Sequence, residues 1–211
     1  MREMPRPSAR TRLLDVAERL FADHGVEGIS LRAINAEAGL SAAALHYHFG
    51  SKQAVVEALL ERRMPELMAR RGERLAELAG CAGPAATTRE VLAALLEPQV
   101  LLLKDGGEPG ARYMRFIHRL QADDDLDFDF VLSRWPGGVD RLVPLLVAAN
   151  PSLPRALVER RLAFAIETML PSLVKAPKDV GDALDRYVAA LLDFLTGAIE
   201  APETAPYSFP S

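Results

Sequence analysis

The chain has 211 residues, of which 49% are apolar and 26% charged, and its net charge is −4. That length suits one domain or two small ones with ample core, and that composition excludes a disordered, fibrous or highly basic protein. The single cysteine, Cys81, excludes an intrachain disulfide and a thiol-rich metal site, and it fits a reducing cytoplasm.

The start, Met-Arg-Glu-Met-Pro-Arg-Pro-Ser, has charge but no apolar core behind it, so no signal peptide is expected. It reads as an arm with two arginines. A first helix is expected from Ala9 to His24, with Leu13, Ala17, Leu20 and Phe21 as its buried stripe and His24-Gly25 as its end. Ser30 is placed to cap a second helix.

The stretch Leu31–Lys52 is the most informative. It reads as a short helix, a glycine turn at Gly39, and a second short helix that Ser41 is expected to cap. Leu31, Ile34, Ala38, Leu40, Leu45 and Phe49 recur at roughly helical spacing and would pack the two helices together, with Phe49 wholly in the core. The outer side of the second helix carries Ser41, Ala42, Ala43, His46, Tyr47 and His48. Small residues followed by hydrogen-bonding rings allow close approach to a flat, polar, anionic partner, which is the layout of a helix-turn-helix. Charge adds little: from Met1 to Lys52 seven cations face six anions, and the excess negative charge lies on the rest of the chain.

Ser51-Lys52 opens a fourth helix towards Met64, and Pro65 should kink or restart it. Helix is expected again over Leu67–Leu78, with a break at Gly80–Pro84. Thr87-Thr-Arg-Glu90 is a capping-box pattern ahead of the apolar Val91–Leu103, which contains Pro98. Lys104–Gly110 reads as a loop and Ala111–Gln121 as a helix. A short helix is expected over Leu126–Trp135 and another over Val139–Ala149. After a turn at Asn150–Pro154 come two long amphipathic segments. Val158, Leu162, Ile166, Met169 and Leu173 line one stripe, and Leu184, Val188, Leu191, Leu195 and Ile199 the other. No strand-like alternation or internal repeat occurs. The apolar runs stop short of the ~18–20 residues of a membrane span. The expected architecture is all-α: a three-helix head (1–50) and, from a fourth connecting helix onward, a larger helical body (51–211).

His46 and His48 do not suit a metal site. Spacing of two points them to different helix faces, and no Cys or carboxylate adjoins them. The acidic run from Asp123 fails as a calcium loop, with Phe128 at the glycine position and Arg134 at the closing glutamate position. No metal or cofactor is expected. Neither a nucleophile–base pair nor a phosphate loop stands out, so an enzyme on the helical body, or a helical adaptor, is the weaker alternative.

The run Leu-Arg-Ala-Ile…Ala-Gly-Leu-Ser…Leu-His-Tyr-His-Phe-Gly-Ser-Lys, following the helix Thr11–His24, resembles the DNA-binding head of the tetracycline-repressor (TetR) family over about residues 11–60. Departures are Ala43 where many relatives have Gly, His46 where many have Tyr, and Asn35 where many have Ala. The resemblance implies a cytoplasmic homodimer, most often a repressor, whose grip on operator DNA is controlled by a small ligand in the body.

Within that frame each residue has an expected role. Ser41, Tyr47, Lys52 and Arg32 suit phosphate contacts, Ala42 and Ala43 allow close approach, and His46 or His48 could read a base edge. For the ligand, Met64, Phe116, Trp135, Phe164 and Met169 could supply apolar lining, with Arg112, Tyr113 and His118 as polar anchors. The last two long helices should form the homodimer interface, because their apolar stripes exceed what one small body needs.

Overall fold

In a computed structural model the described residues are 8–41, 43–80, 85–121, 139–178 and 181–204. They form nine α-helices and no strand. These are α1 (Ala9–His24), α2 (Leu31–Glu37), α3 (Ala44–Phe49), α4 (Lys52–Glu61), α5 (Met64–Gly80), α6 (Thr88–Gln121), α7 (Leu142–Ala149), α8 (Arg155–Val174) and α9 (Asp182–Glu200), with a 3-10 turn at Val139–Arg141 ahead of α7. Cys81, the acidic run from Asp123 and the helix expected over Leu126–Trp135 lie outside the described residues.

The chain gathers into two compact units. The first holds residues 1–68 and 101–135. Its core joins Leu13, Ala17 and Phe21 of α1 to Ile34, Leu45, Val55 and Leu59, and to Tyr113, Phe116 and Leu120 of α6, all fully buried. Each of the larger of these, Leu, Ile, Val or Phe, contributes roughly 1.5–3 kcal/mol of burial. The second unit holds residues 69–100 and 136–211. It is centred on Val91, Leu92, Leu95, Leu142, Leu146, Leu162, Leu184 and Leu195. Compactness thus groups the chain differently from the division at 50/51 expected from the sequence.

Local signals explain most boundaries. Ser8, Ser30 and Ser51 each accept a backbone N–H at 3.1 Å from the residue three positions on, capping α1, α2 and α4. At α6 the capping box closes both ways: Thr87 N donates to Glu90 Oε2 at 2.8 Å, and Glu90 N donates to Thr87 Oγ1 at 3.3 Å. The Thr87 N–H, together with the Thr87 hydroxyl at 2.8 Å from the same oxygen, holds the Glu90 carboxyl below its ordinary value. Pro65 falls in the first turn of α5, where a missing N–H costs nothing, so the helix restarts rather than kinks. In the second unit Asn150 Nδ2 donates to Thr88 Oγ1 and to the Leu146 carbonyl, both at 2.9 Å, joining α6 to α7. Arg161 donates to the Ile199 carbonyl at 2.8 Å and to that of Ala201, placing a cation at the C-terminal end of α9.

The break expected at Lys104–Gly110 is present but is not a loop: α6 is two helices that meet at a kink, with Gly107 (φ 52°, ψ −139°) as the one residue of non-helical angles. That left-handed φ is open to glycine at little cost. Three residues on, a Cβ at Gly110 would run into the Leu102 carbonyl. The glycines here let a helix break and resume within one residue instead of ending it.

Candidate nucleic-acid interface

The head is built from α1 upward. The stripe of α1 buries Leu13, Ala17 and Phe21, and its polar side reaches out to hold α2. The Arg12 guanidinium donates to the Ala38 carbonyl at the end of α2, and Arg19 pairs with Glu37 at 2.6 Å. Gly39 then turns the chain with φ 63°.

Ser41 does not cap α3 with its side chain. Regular helix begins only at Ala44, and its N-cap residue, Ala43, gives no side-chain hydrogen bond. The backbone carbonyl of Ser41 accepts the Ala44 N–H at 2.9 Å. The capping side chain comes from the other helix: buried Asn35 on α2 accepts the Leu45 N–H through Oδ1 at 3.0 Å. Leu45, fully buried, is the plug of α3 into the core.

This leaves the outer side of the turn and α3 exposed. Ser41, Ala43 and His46 face solvent, and the Tyr47 ring is 86% exposed. His48 is half-buried, its ring 5.3 Å from that of Tyr47 and 6.3 Å from that of Phe49. Ala42 lies outside the described residues. Phe49 is itself only half-buried, not wholly core, and the guanidinium of Arg10 stands 5.1 Å over its ring. Arg10 was not foreseen; an exposed cation near the start of α1 gives no sign in sequence that it will meet the end of α3. Arg32 is exposed in the first turn of α2. Lys52 has a second role: its ammonium donates to the Val26 and Glu27 carbonyls at 3.0 and 3.2 Å, so α4 grips the turn before α2. A lysine carries three donors, which leaves one for a phosphate.

The structure thus brings Ser41, Ala43, His46, Tyr47 and His48 together along one short stretch, flanked by Arg10, Arg32 and Lys52. Small side chains, ring hydrogen-bonding groups and cations on a protruding helix match what a major groove and its phosphates demand.

The expected ligand residues divide between the units. In the first, Met64, Tyr113 and Phe116 are buried, the Tyr113 and Phe116 rings lie 5.9 Å apart, and Arg112 and His118 are half-buried. The Tyr113 hydroxyl is fully buried with no hydrogen-bond partner, and burial holds its proton far more tightly than usual. In the second, Met169 is buried while Phe164 is 58% exposed on α8, and Phe194 on α9 is 61% exposed. Trp135 lies outside the described residues. Among the described residues no three His, Cys, Asp or Glu side chains gather as a metal site, and no helix is long and apolar enough to cross a membrane.

Comparison with known proteins agrees with this geometry. Residues 13–59 match the profile of bacterial regulatory proteins of the tetR family, and residues 93–198 match the tetracyclin repressor-like C-terminal domain. The HTH-type transcriptional repressor KstR2 of Rhodococcus jostii is 36% identical over 67 residues, 32% of this chain and 33% of that protein. The chain spans about a third of the length of the first curated relatives it matches, 33% and 36%. The solved probable transcriptional regulatory protein RHA5900 superposes with a TM-score of 0.63 at 21% identity, over 92% of this chain and 100% of that one. A transcriptional regulator from Saccharomonospora viridis, solved in complex with choline, gives 0.57 at 23% identity, over 89% and 95%. At such identities these structures share a fold with this chain.

Proposed function

Since the chain belongs to the tetracycline-repressor (TetR) family of bacterial regulatory proteins, we propose that it is a DNA-binding transcriptional regulator, most simply a repressor, released from or recruited to its operator by a small molecule. The observation that carries this reading is the exposed side of the turn and α3, with Ser41, Ala43, His46 and Tyr47, held out by the buried Leu45 and the cap from Asn35. It is a binding protein, not an enzyme.

In this reading residues 1–50 bind DNA and residues 51–211 bind ligand and dimerise. Tyr47, Ser41, Lys52 and Arg32 contact phosphates, and Arg10 joins them from α1. Ala42 and Ala43 bring the helix close, and His46 and His48 face base edges. Two heads of a cytoplasmic homodimer then occupy successive major grooves of a palindromic operator, about 34–36 Å apart. The exposed Phe164 and Phe194, on the packed pair α8 and α9, supply the apolar centre of the dimer interface. Of the residues expected to meet the ligand, Met64, Arg112, Tyr113, Phe116 and His118 share the first unit and serve it, the buried Tyr113 hydroxyl being the polar group in search of a partner, while the exposed Phe164 is given to the dimer instead. Ligand binding need supply only about 1–3 kcal/mol of coupling, carried through the α4–α5 corner at Pro65.

Fluorescence anisotropy with the DNA that flanks the chain's own gene tests the core of this. Specific binding that weakens steeply with salt is expected. Binding indistinguishable from that to unrelated DNA would sink the reading and favour a helical adaptor.

A further inference from the structure

The most unusual polar group in the head is on α1. Glu18 is 5% exposed, although it carries a carboxylate. Two cations approach it from other elements without a close bond: Arg62 Nη1, just past the end of α4, is 3.9 Å from Oε2, and Arg112 Nε of α6 is 3.6 Å from Oε1. Both distances exceed the usual hydrogen-bond range, and the buried Arg112 Nε has no hydrogen-bond partner among the described residues. Arg62 spends its other nitrogen on Asp15, one turn back on α1, at 2.9 Å. Arg63 stands 5.4 Å over the ring of Tyr113, whose hydroxyl is also buried and unbonded. The charged and titratable groups facing Glu18 are therefore Asp15 on α1, Arg62 and Arg63 at the α4 corner, and Arg112 and Tyr113 on α6.

We propose that Glu18 is a strained regulatory joint: its carboxylate, buried between α1, the α4 corner and the second half of α6, is the charge whose burial decides how firmly α1 is seated on α6. The apolar side of that seat is the stack of Phe21 on Phe116, with ring centroids 6.2 Å apart, and Arg119 adds a bond to the Asp23 carbonyl at 3.3 Å. These contacts favour seating. Burial of the carboxylate opposes it, since a desolvated charge lacking good hydrogen bonds favours any arrangement that returns it to water. The balance of effects on the group agrees: burial raises its proton affinity above the ordinary value and outweighs the pull of Arg63, Arg112 and Arg62 in the other direction. A group that holds its proton more tightly when seated than when open is one whose protonation favours the seated form. The ionised carboxylate thus keeps the joint poised near opening. A ligand or operator that shifts α6 or α1 then works against a small barrier rather than a rigid core. For its regulatory meaning this rests on the DNA-binding reading above; the joint itself does not.

The test is Glu18→Gln, which keeps the shape and removes the charge, read first by hydrogen exchange of the amides of α1 and of residues 112–121 in the full chain. At about pH 7.5 the variant should exchange more slowly than wild type, by about tenfold, and the two should converge as the pH falls towards the ordinary carboxylate value of 4.5. If Glu18 is merely an ion-pair keystone, the variant exchanges faster at about pH 7.5, and that result, or equal exchange at both pH values, overturns the joint. Arg112→Gln, which removes a favourable neighbour from the same carboxylate, should speed exchange in wild type but have little effect in the Glu18→Gln background; independent effects would also overturn it. Anisotropy on the flanking DNA is the separate arm: absence of specific binding by wild type removes the regulatory reading while exchange still decides the joint.

Discussion

Asn35 Oδ1 accepts the backbone N–H of Leu45 at 3.0 Å, so the first helix of the helix-turn-helix caps the second. The bond is buried and spans the glycine turn, which fixes the angle at which α3 leaves the head. It also gives a role to Asn35, one of the three departures from the family pattern: an alanine at position 35 would have no oxygen to give.

Asn35→Ala should therefore cost the head about 1–2 kcal/mol, the range for a lost cap or a buried N–H left without an acceptor. Urea unfolding measures it as a lowered midpoint with an unchanged slope. Affinity for operator should fall with it, since α3 would have to be ordered on binding. A variant as stable as wild type would show that the bond carries no net free energy.

The proposed DNA contacts divide by what they alter. Tyr47→Phe and Lys52→Ala should weaken binding to all sequences alike, and Lys52→Ala should flatten the salt dependence by about one ion. His46→Ala should instead change which sequences are preferred, by about 1–3 kcal/mol at one position. Lys52→Ala carries an added cost, because its ammonium also holds the Val26 and Glu27 carbonyls, and a lowered melting temperature should accompany the weaker binding. Selection of bound fragments from a random pool separates the two classes.

Phe164 and Phe194 lie on paired helices and are more than half exposed, at 58% and 61%. Changing either to Ser should raise the dimer dissociation constant about tenfold or more, as expected of an aromatic at the centre of an interface. Sedimentation equilibrium reads this, with circular dichroism expected to show unchanged helix. Wild type that sediments as a monomer would refute the interface outright.

The Glu18 carboxyl gives a signed pH dependence. Burial raises its pKa in the folded chain above the ordinary 4.5. Its contribution to stability is then fully present below about 4.5 and is lost as pH rises through the higher folded value. Melting curves of wild type relative to Glu18→Gln should therefore diverge as the solution is made less acid above that point, with the variant the more stable. A wild type that gains on the variant with rising pH would reverse the sign and the explanation together.

Most of the fold could be read from short-range chemistry. Ser30, Ser51 and the pair Thr87–Glu90 act over three residues, and the structure places each cap as expected, as it does the left-handed Gly39. What escaped reading acts over distance or exception. Ser41 has the right chemistry for a cap, but Asn35 takes the N–H ten positions away in sequence. Lys52 reads as a free cation at a helix start, yet its ammonium reaches back 26 positions. Lys104–Gly110 has the composition of a loop, but the chain needs only one non-helical residue, Gly107, to kink between two helices there. Glu18 did leave a signal: it stands four residues after Leu14 and three before Phe21, inside the buried stripe, where a carboxylate looks like one more charge between apolar residues.

The break at Gly107 has a bearing on how this chain tolerates change. A helix normally ties every residue to a fixed angular register, so one inserted residue turns all that follow by about 100°. At Gly107 that register is broken, and what aligns the two halves of α6 instead is the close approach of Gly110 to the Leu102 carbonyl, which leaves no room even for a methyl group. An insertion or deletion of one residue at Gly106–Gly107 should displace that contact. Among related sequences, both the length of the Gly106–Gly107 turn and the glycine at position 110 should be kept.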